Sequence, residues 1–437
     1  MLLAREGLGS PAVGLPPVQL RESSEGLDGG ALVARQSRDQ SSDGLSAHQA
    51  YAKRLRVAYV SAADPRDRRS WSGTHFRILN ALTPYVADIA AIGPLHSGWR
   101  QPLAFCGKLS RSVFGKRYAH ECSPLISADY GRQIERRLDG QHYDVILAPA
   151  ASSEVCELKT RIPIVYLSDA TFAQMQAYYP KFANMLPHSQ KAGDAIESAA
   201  IRKAARVIYP SQWAAGSAVA DYHADPRRVV EIPFGANFDV APGPCARPAP
   251  PSGRCRMLFV GKGWARKGGP LALQALAALR ARGIDATLTV VGCERPAGLV
   301  APGAEFIANI DKRAPGGEQR LRDLYEAADV FVLPTRAECY GVVFCEAASY
   351  GLPIVATDTG GVASAVAHGG NGLLLPLEAG AKDYADAIET IVGHAARYMA
   401  MAGESRRLFE TRLNWDVFGR RCAEVLHDAV TERQALA

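Results

Sequence analysis

From residue 53 onward, short apolar runs alternate with longer segments of helical period. The runs at 56–61 (RVAYVS), 88–92, 143–148 (YDVILA), 162–168 (IPIVYLS) and 206–209 read as buried strands. Between them, apolar residues fall at helical spacing in 75–85 (HFRILNALTPY), 129–138, 191–205 and 211–222. A second series repeats the scheme. It predicts strands at 256–260, 287–292, 331–333 and 354–356, helices over 271–281, 321–328, 342–350 and 383–392, and a last amphipathic helix from 415. Strands alternating with helices predict parallel sheets covered on both faces, an α/β protein. Residues 241–253 (APGPCARPAPPSG) separate the two series. They hold five prolines and two glycines and read as a linker. The expected organisation is a first domain over 53–240, a second over 254–414, and a C-terminal helix, 415–437, free to cross back to the first. Residues 1–52 are rich in Ser, Gly, Gln and Arg without a sustained period. They are expected to be a disordered tail or an over-extended start.

Composition narrows the class. Hydrophobic residues make up 48% and charged residues 22% of the chain, ample for large cores in a globular enzyme. No apolar run is long enough to span a bilayer. The opening MLLAREGLGSP is not expected to be a signal peptide, because its apolar core is short and an acid follows at once. The nine cysteines (106, 122, 156, 245, 255, 293, 339, 345 and 422) include no Cys-x-x-Cys pair. That argues against a zinc ribbon or a disulfide framework and for reduced thiols in a cytoplasmic protein. The net charge of +6 is uneven: residues 51–250 carry 25 basic and 17 acidic side chains, whereas 251–437 carry 21 of each. The excess reads as a solvated basic surface, an anionic acceptor, or peripheral contact with an anionic membrane at the inner face of the cell membrane. Aromatic interleaving and a nucleic-acid motif are both missing, so nucleic acid is not expected as a partner.

The candidate chemistry concentrates in residues 331–375. There a strand is followed by a polar loop, a helix, a second strand and a Gly-rich loop. Glu338 lies in the first loop and Glu346 about one turn inside the helix, with seven residues between them. Ligands of α/β sheets bind outside the carboxyl ends of the strands, against helix N-termini. The amides of Tyr340, Gly341, Val342 and Val343 would face an anion there, with the helix dipole adding to them. Carboxylates on either side would accept hydrogen bonds from hydroxyls flanking that anion. The bland alternative is two solvated glutamates. A Gly-rich loop at 261–269 (GKGWARKGG) joins another strand to another helix. Its glycines suit close approach to a pyrophosphate and its lysines supply charge, although it is not a Walker loop. In the first domain, Gly73 at a helix entry would admit a phosphate, or simply belong to an ordinary cap. His75 would face an anion there, or sit at the surface as part of a cap. Asp169 follows a strand end and reads as a site residue or an N-cap.

Taken together, GKGWARKGG at 261–269, ECYGVVFCEA at 338–347, GLPIVATDTGG at 351–361 and NGLLLP at 371–376 resemble the family 4 glycosyltransferases. WSGT at 71–74, SDATF at 168–172 and IPFGANFD at 232–239 match more loosely. The resemblance implies the GT-B architecture, two Rossmann-like doubly wound domains facing a cleft. It implies transfer of a hexosyl unit from a nucleotide diphosphate sugar to an acceptor hydroxyl on a glycan, lipid or small molecule, with retention at the anomeric carbon. On these positions it implies that Lys262 and Lys267 neutralise the donor diphosphate. Glu338 meets the sugar hydroxyls and Glu346 holds the ribose. Gly73, Gly261, Arg266, Cys339, Tyr340, Gly341, Val342 and Val343 line the donor. Lys262 stands where the family usually has Arg, which loses a bidentate grip and keeps the charge. The strand at 143–148 lacks the histidine that family members commonly carry after it. Ser152 and Ser153 lie near that position, and Asp169 and Ser152 are the first-domain candidates. No Asp-x-Asp occurs, so neither a metal nor any other cofactor is expected beyond the nucleotide sugar as co-substrate. The alternatives are a nucleotide-sugar epimerase of the same fold and a non-catalytic sugar-nucleotide binding protein.

Overall fold

The structure, a computed structural model, describes residues 55–240, 242–243 and 247–435. The tail read at 1–52 and residues 241 and 244–246 of the Pro-rich linker lie outside the described residues. Twelve strands form two six-stranded sheets. In spatial order the first holds β2 (Asp88–Ile92), β1 (Arg56–Val60), β3 (Val145–Pro149), β4 (Ile164–Leu167), β5 (Arg206–Tyr209) and β6 (Val229–Glu231). The second holds β12 (Gly372–Leu375), β11 (Ile354–Thr357), β10 (Val330–Leu333), β7 (Arg254–Val260), β8 (Asp285–Val291) and β9 (Ala304–Ile307). Every pairing is parallel, for example Tyr59 opposite Leu147 and Phe331 opposite Ile354. Helices cover both faces of such sheets, so the inner strands are apolar throughout. All residues of β3, β10 and β11 are buried.

Each sheet has one point where the chain reverses its direction of travel across the strands. In the first sheet it lies between β1 and β3, and in the second between β7 and β10. The loops that leave neighbouring strands at such a point diverge and open a crevice. The loop after β7 is the Gly-rich segment, and the loop after β10 carries Glu338. Topology therefore brings together two stretches 71 positions apart in sequence.

The chain crosses between the two lobes twice. The outward crossing runs through Phe234 and Asn237, and the return runs through Leu413 and Trp415. Phe234 stacks on Trp415 with ring centroids 5.6 Å apart and meets Trp71, Tyr340 and Phe418 at 5.5–5.8 Å. The Trp415 indole N–H donates to Asn237 Oδ1 at 3.1 Å. Arg247, inside the expected linker, donates to the carbonyls of Tyr350 and Tyr325 and so pins that segment to the second lobe. Asn414 caps the final helix, Trp415–Ala435, by accepting from the Val417 amide at 2.9 Å. That helix packs on the first lobe against the helix Thr74–Leu82. Gly419 makes the approach possible, because a Cβ there would lie 1.9 Å from the Ala81 carbonyl oxygen. Both are backbone positions and neither can yield. Gly419→Val is therefore expected to destabilise the first lobe by about 2 kcal/mol or more. An unchanged urea unfolding midpoint would contradict this packing.

Among the described residues, three helices of seven residues or more have no counterpart in the sequence pattern: Arg100–Phe114, Phe172–Tyr178 and Ala395–Thr411. The last buries Tyr398, Met401, Ala402, Ser405 and Phe409 at helical spacing, a stripe diluted by small and polar residues. The first turns Phe105, Leu109, Val113 and Phe114 outward and packs Leu103 on the core, so it lacks the buried stripe that signals a helix. β6, β9 and β12 are short edge-side strands that the apolar pattern does not single out.

Candidate functional site

Loops from the carboxyl ends of both sheets line a cleft of roughly 780 Å3. On the second-lobe side, the loops after β7 and β10 are stitched together. The Arg336 amide donates to the Arg266 carbonyl at 2.7 Å, and the Arg266 guanidinium donates to the Ala337 carbonyl at 2.8 Å. Lys267 is only 7% exposed and forms an ion pair with Glu338, itself 8% exposed. Gly268 has φ +76°, and a Cβ on it would lie 1.9 Å from the Pro334 carbonyl oxygen. The sequence reading assigned the glycines of this loop to phosphate approach. At Gly268 the close approach is instead to the neighbouring protein loop. Lys262 and Gly261 line the cleft, with Lys262 exposed.

The helix Val342–Ser349 begins after Gly341, whose φ is +87°. Its first-turn amides have no intrahelical acceptor, and Gly341, Val342 and Val343 line the cleft. Glu346 is 3% exposed and fully partnered. Its Oε1 lies 2.8 Å from Lys312 Nζ, and its Oε2 accepts from the Tyr325 hydroxyl at 2.9 Å. Lys312 also donates to the Asn237 carbonyl at 3.1 Å, which links this carboxylate to the outward crossing. Sequence reasoning missed Lys312 and Tyr325. Each is isolated in sequence, and only the fold sets it beside Glu346. Cys339 and Tyr340 line the cleft as well, while their side-chain polar atoms bond to other segments. The Tyr340 hydroxyl donates to the Phe234 carbonyl at 3.1 Å, in the crossing. Cys339 packs on Met175 and Tyr179 of the first lobe, and burial, with the Asp169 charge next, pushes its thiol far up.

The first lobe contributes a strained turn. Trp71, Ser72 and Gly73 have φ of 46°, 56° and 88°, three consecutive left-handed residues. For non-glycine residues this costs about 1–2 kcal/mol each, and such strain persists only where the surroundings over-determine it. Here Trp71 is held against His75 and Phe234, with centroids 5.2 and 5.8 Å away. The turn opens directly into the helix Thr74–Leu82, and Gly73 and Thr74 line the cleft. Asp169 faces the same space. Burial pushes its carboxyl up to about 6, opposed by a hydrogen bond from the Trp71 side chain and reinforced by the Glu338 charge.

His75 and Ser152 have other surroundings. His75 is neither at the surface nor in the cleft lining: it is 4% exposed, hydrogen-bonded to the Tyr59 hydroxyl at 2.9 Å, and burial lowers its pKa to about 4. Ser152 acts on the buried Glu197 and Tyr166 within the first lobe, and it is not among the cleft-lining residues. Burial of the Glu197 carboxyl raises its pKa to about 7. The hydroxyl of Ser153 donates to the Glu121 carbonyl.

Comparison with known proteins agrees with this fold. Residues 254–394 match the family described as Glycosyl transferases group 1. D-inositol 3-phosphate glycosyltransferase of Pseudarthrobacter chlorophenolicus is 30% identical over 315 residues, 68% of this chain and 74% of that protein. The enzyme of the same description from Rhodococcus jostii is 29% identical over 235 residues, 50% of this chain and 52% of that protein. The chain spans little more than half the length of most of these relatives. Among solved structures, sucrose-phosphate synthase from Thermosynechococcus elongatus superposes with a TM-score of 0.60 at 18% identity, over 88% of this chain and 99% of that one. Anabaena HepE in complex with UDP-glucose superposes with a TM-score of 0.54 at 15% identity, over 88% and 100%. These likenesses carry the GT-B fold, two doubly wound parallel sheets facing a cleft. With a relative 30% identical and matched over 74% of its length, the chain belongs to the group 1 glycosyl transferases.

Proposed function

We propose that the protein transfers a hexosyl unit from a nucleotide diphosphate sugar to an acceptor hydroxyl, with retention at the anomeric carbon. The observation that carries this reading is the pair of lysine–carboxylate couples, Lys267 with Glu338 and Lys312 with Glu346, flanking one helix N-terminus in the cleft. A diphosphate suits the space between the couples, with hydroxyl-bearing rings on either side of it. Glu346 then takes the ribose hydroxyls and Glu338 the sugar hydroxyls. Lys262, Lys267 and the amides at Val342 and Val343 face the diphosphate, with the turn at Gly73 closing on it from the first lobe. Charge grows on the departing diphosphate as the glycosidic bond breaks. Preorganised cations and amides stabilise it there without reorganisation. The leaving phosphate oxygen takes the proton of the acceptor hydroxyl as that hydroxyl bonds to the anomeric carbon from the same face. Retention follows. Asp169, ionised above about pH 6, accepts from a hydroxyl of the sugar or acceptor.

The test is a thermal-shift panel of UDP-, GDP- and ADP-sugars, with UDP-glucose first because a neighbour of this fold binds it. A ligand at a hundred times its Kd stabilises by about 2.7 kcal/mol, a readily measured shift. Glu346→Ala removes charge-assisted hydrogen bonds and is expected to weaken donor binding about 10- to 100-fold. Product analysis of the shifting donor should yield a glycoside and a nucleoside diphosphate. A panel without any shift, a Glu346→Ala shift equal to wild type, or an epimer as product would each overturn the reading.

A further inference from the structure

The helix Arg100–Phe114 is an anomaly in the first lobe, because only Ser110 on it is fully buried. Phe105, Leu109 and Val113 recur every fourth residue and form one stripe, 56–68% exposed. Trp99 and Phe114 extend the apolar surface at its two ends, 48% and 68% exposed. A stripe of this kind on a globular surface marks an interaction site.

Charge identifies the partner. Between Asp88 and Glu121 the chain has no acidic residue, while Arg100, Lys108, Arg111, Lys116 and Arg117 are basic. Arg117 pairs with Glu121, whereas among the described residues Lys108, Arg111 and Lys116 are exposed and in no ion pair. A symmetric second copy would set these cations against themselves. A folded acidic partner would need grooves for two phenylalanines. A bilayer takes both features at once, with the rings at the acyl boundary and the cations among anionic headgroups. The helix is about 22 Å long, and among the described residues no helix is long and apolar enough to cross a membrane. We infer that the Arg100–Phe114 helix docks the first lobe in the plane of an anionic lipid bilayer. The inference is independent of the transfer chemistry, since none of these residues lines the cleft.

The experiment is co-sedimentation of the full chain with phosphatidylcholine vesicles, with and without phosphatidylglycerol. Binding is expected only with phosphatidylglycerol, and it should weaken as salt rises. Phe105→Ser with Leu109→Ser should weaken it more than about tenfold, since each large apolar side chain contributes a free energy worth at least that factor. Lys108→Glu should weaken it by about fivefold or more. Vesicles should shift tryptophan fluorescence to the blue in the wild type and not in Trp99→Phe. The donor thermal shift, which reports folding, should stay unchanged in every variant. Absence of binding to anionic vesicles at low salt would overturn the proposal, as would binding insensitive to the Phe105 and Leu109 changes. A full chain that is dimeric, and that these changes make monomeric without any vesicle binding, would assign the stripe to self-association instead.

Discussion

Lys267→Ala is expected to lower kcat/KM for sugar transfer by about a thousandfold. Removing one preorganised electrostatic contact from an active site typically costs about 10²–10³ in rate, and here a second loss accompanies it. Glu338 is 8% exposed and relies on Lys267 for its charge partner. Without that lysine the carboxylate is buried and uncompensated, so the sugar-binding role proposed for it should fail as well. Breaking a buried pair from one side also costs about 3–5 kcal/mol of stability. The two effects separate in a double variant. Lys267→Met with Glu338→Gln leaves no bare buried charge, so its melting temperature should return most of the way to wild type while transfer stays lost. Initial rates and thermal melts of the three proteins decide the matter. A single variant within tenfold of the wild-type rate would remove Lys267 from the reaction.

Gly268→Val should abolish donor binding while leaving the chemical groups of the site intact. The residue combines a left-handed backbone with contact against Pro334, whose carbonyl oxygen lies 1.9 Å from the position of a Cβ. The backbone term alone is about 1–2 kcal/mol. The steric term cannot be relieved by a side-chain rotation, since the obstacle is backbone. Relief comes only by parting the loops after β7 and β10, which carry Lys267 and Glu338. The donor thermal shift should vanish, and amide exchange should accelerate in both loops together. A wild-type donor shift in this variant would show that the two loops are not set by their mutual contact.

The second lobe was largely legible from sequence because its chemistry is local. A strand, a Gly-rich loop and a helix lie consecutively at 254–281, and Glu338 and Glu346 are separated by less than three helical turns of chain. Periodicity reports such neighbours directly. What it cannot report is pairing across the sheet. Lys312 reaches Glu346 only because β9 and β10 end at the same edge, and Tyr325 reaches it from a helix on the sheet's face. The first lobe was less legible for the same reason. Ser152 was named by its position after a strand, but the turn after β3 directs it to Glu197 and Tyr166. His75 was read at a helix entry, and the fold packs that entry under Trp71 and against Tyr59. Asp169, also named by its place after a strand, does reach the cleft. Position after a strand gives the correct end of the sheet. Whether the side chain then faces the crevice or the helix layer depends on a turn whose geometry leaves little mark on composition.

The return of the final helix to the first lobe has a consequence for synthesis. Strands β1 to β6 emerge from the ribosome as a contiguous block, yet Phe418, Cys422 and Leu426, which share a core with Val57, Tyr59 and Leu147, are made only after the second lobe. At about 5–20 residues per second, the stretch from the end of β6 to Trp415 takes roughly ten to forty seconds to make. Throughout that interval one face of the first sheet has the helix Thr74–Leu82 but lacks the rest of its cover. Truncation before residue 415 makes that state permanent, so an apolar surface normally exposed only on the nascent chain becomes a standing target for aggregation and chaperone capture.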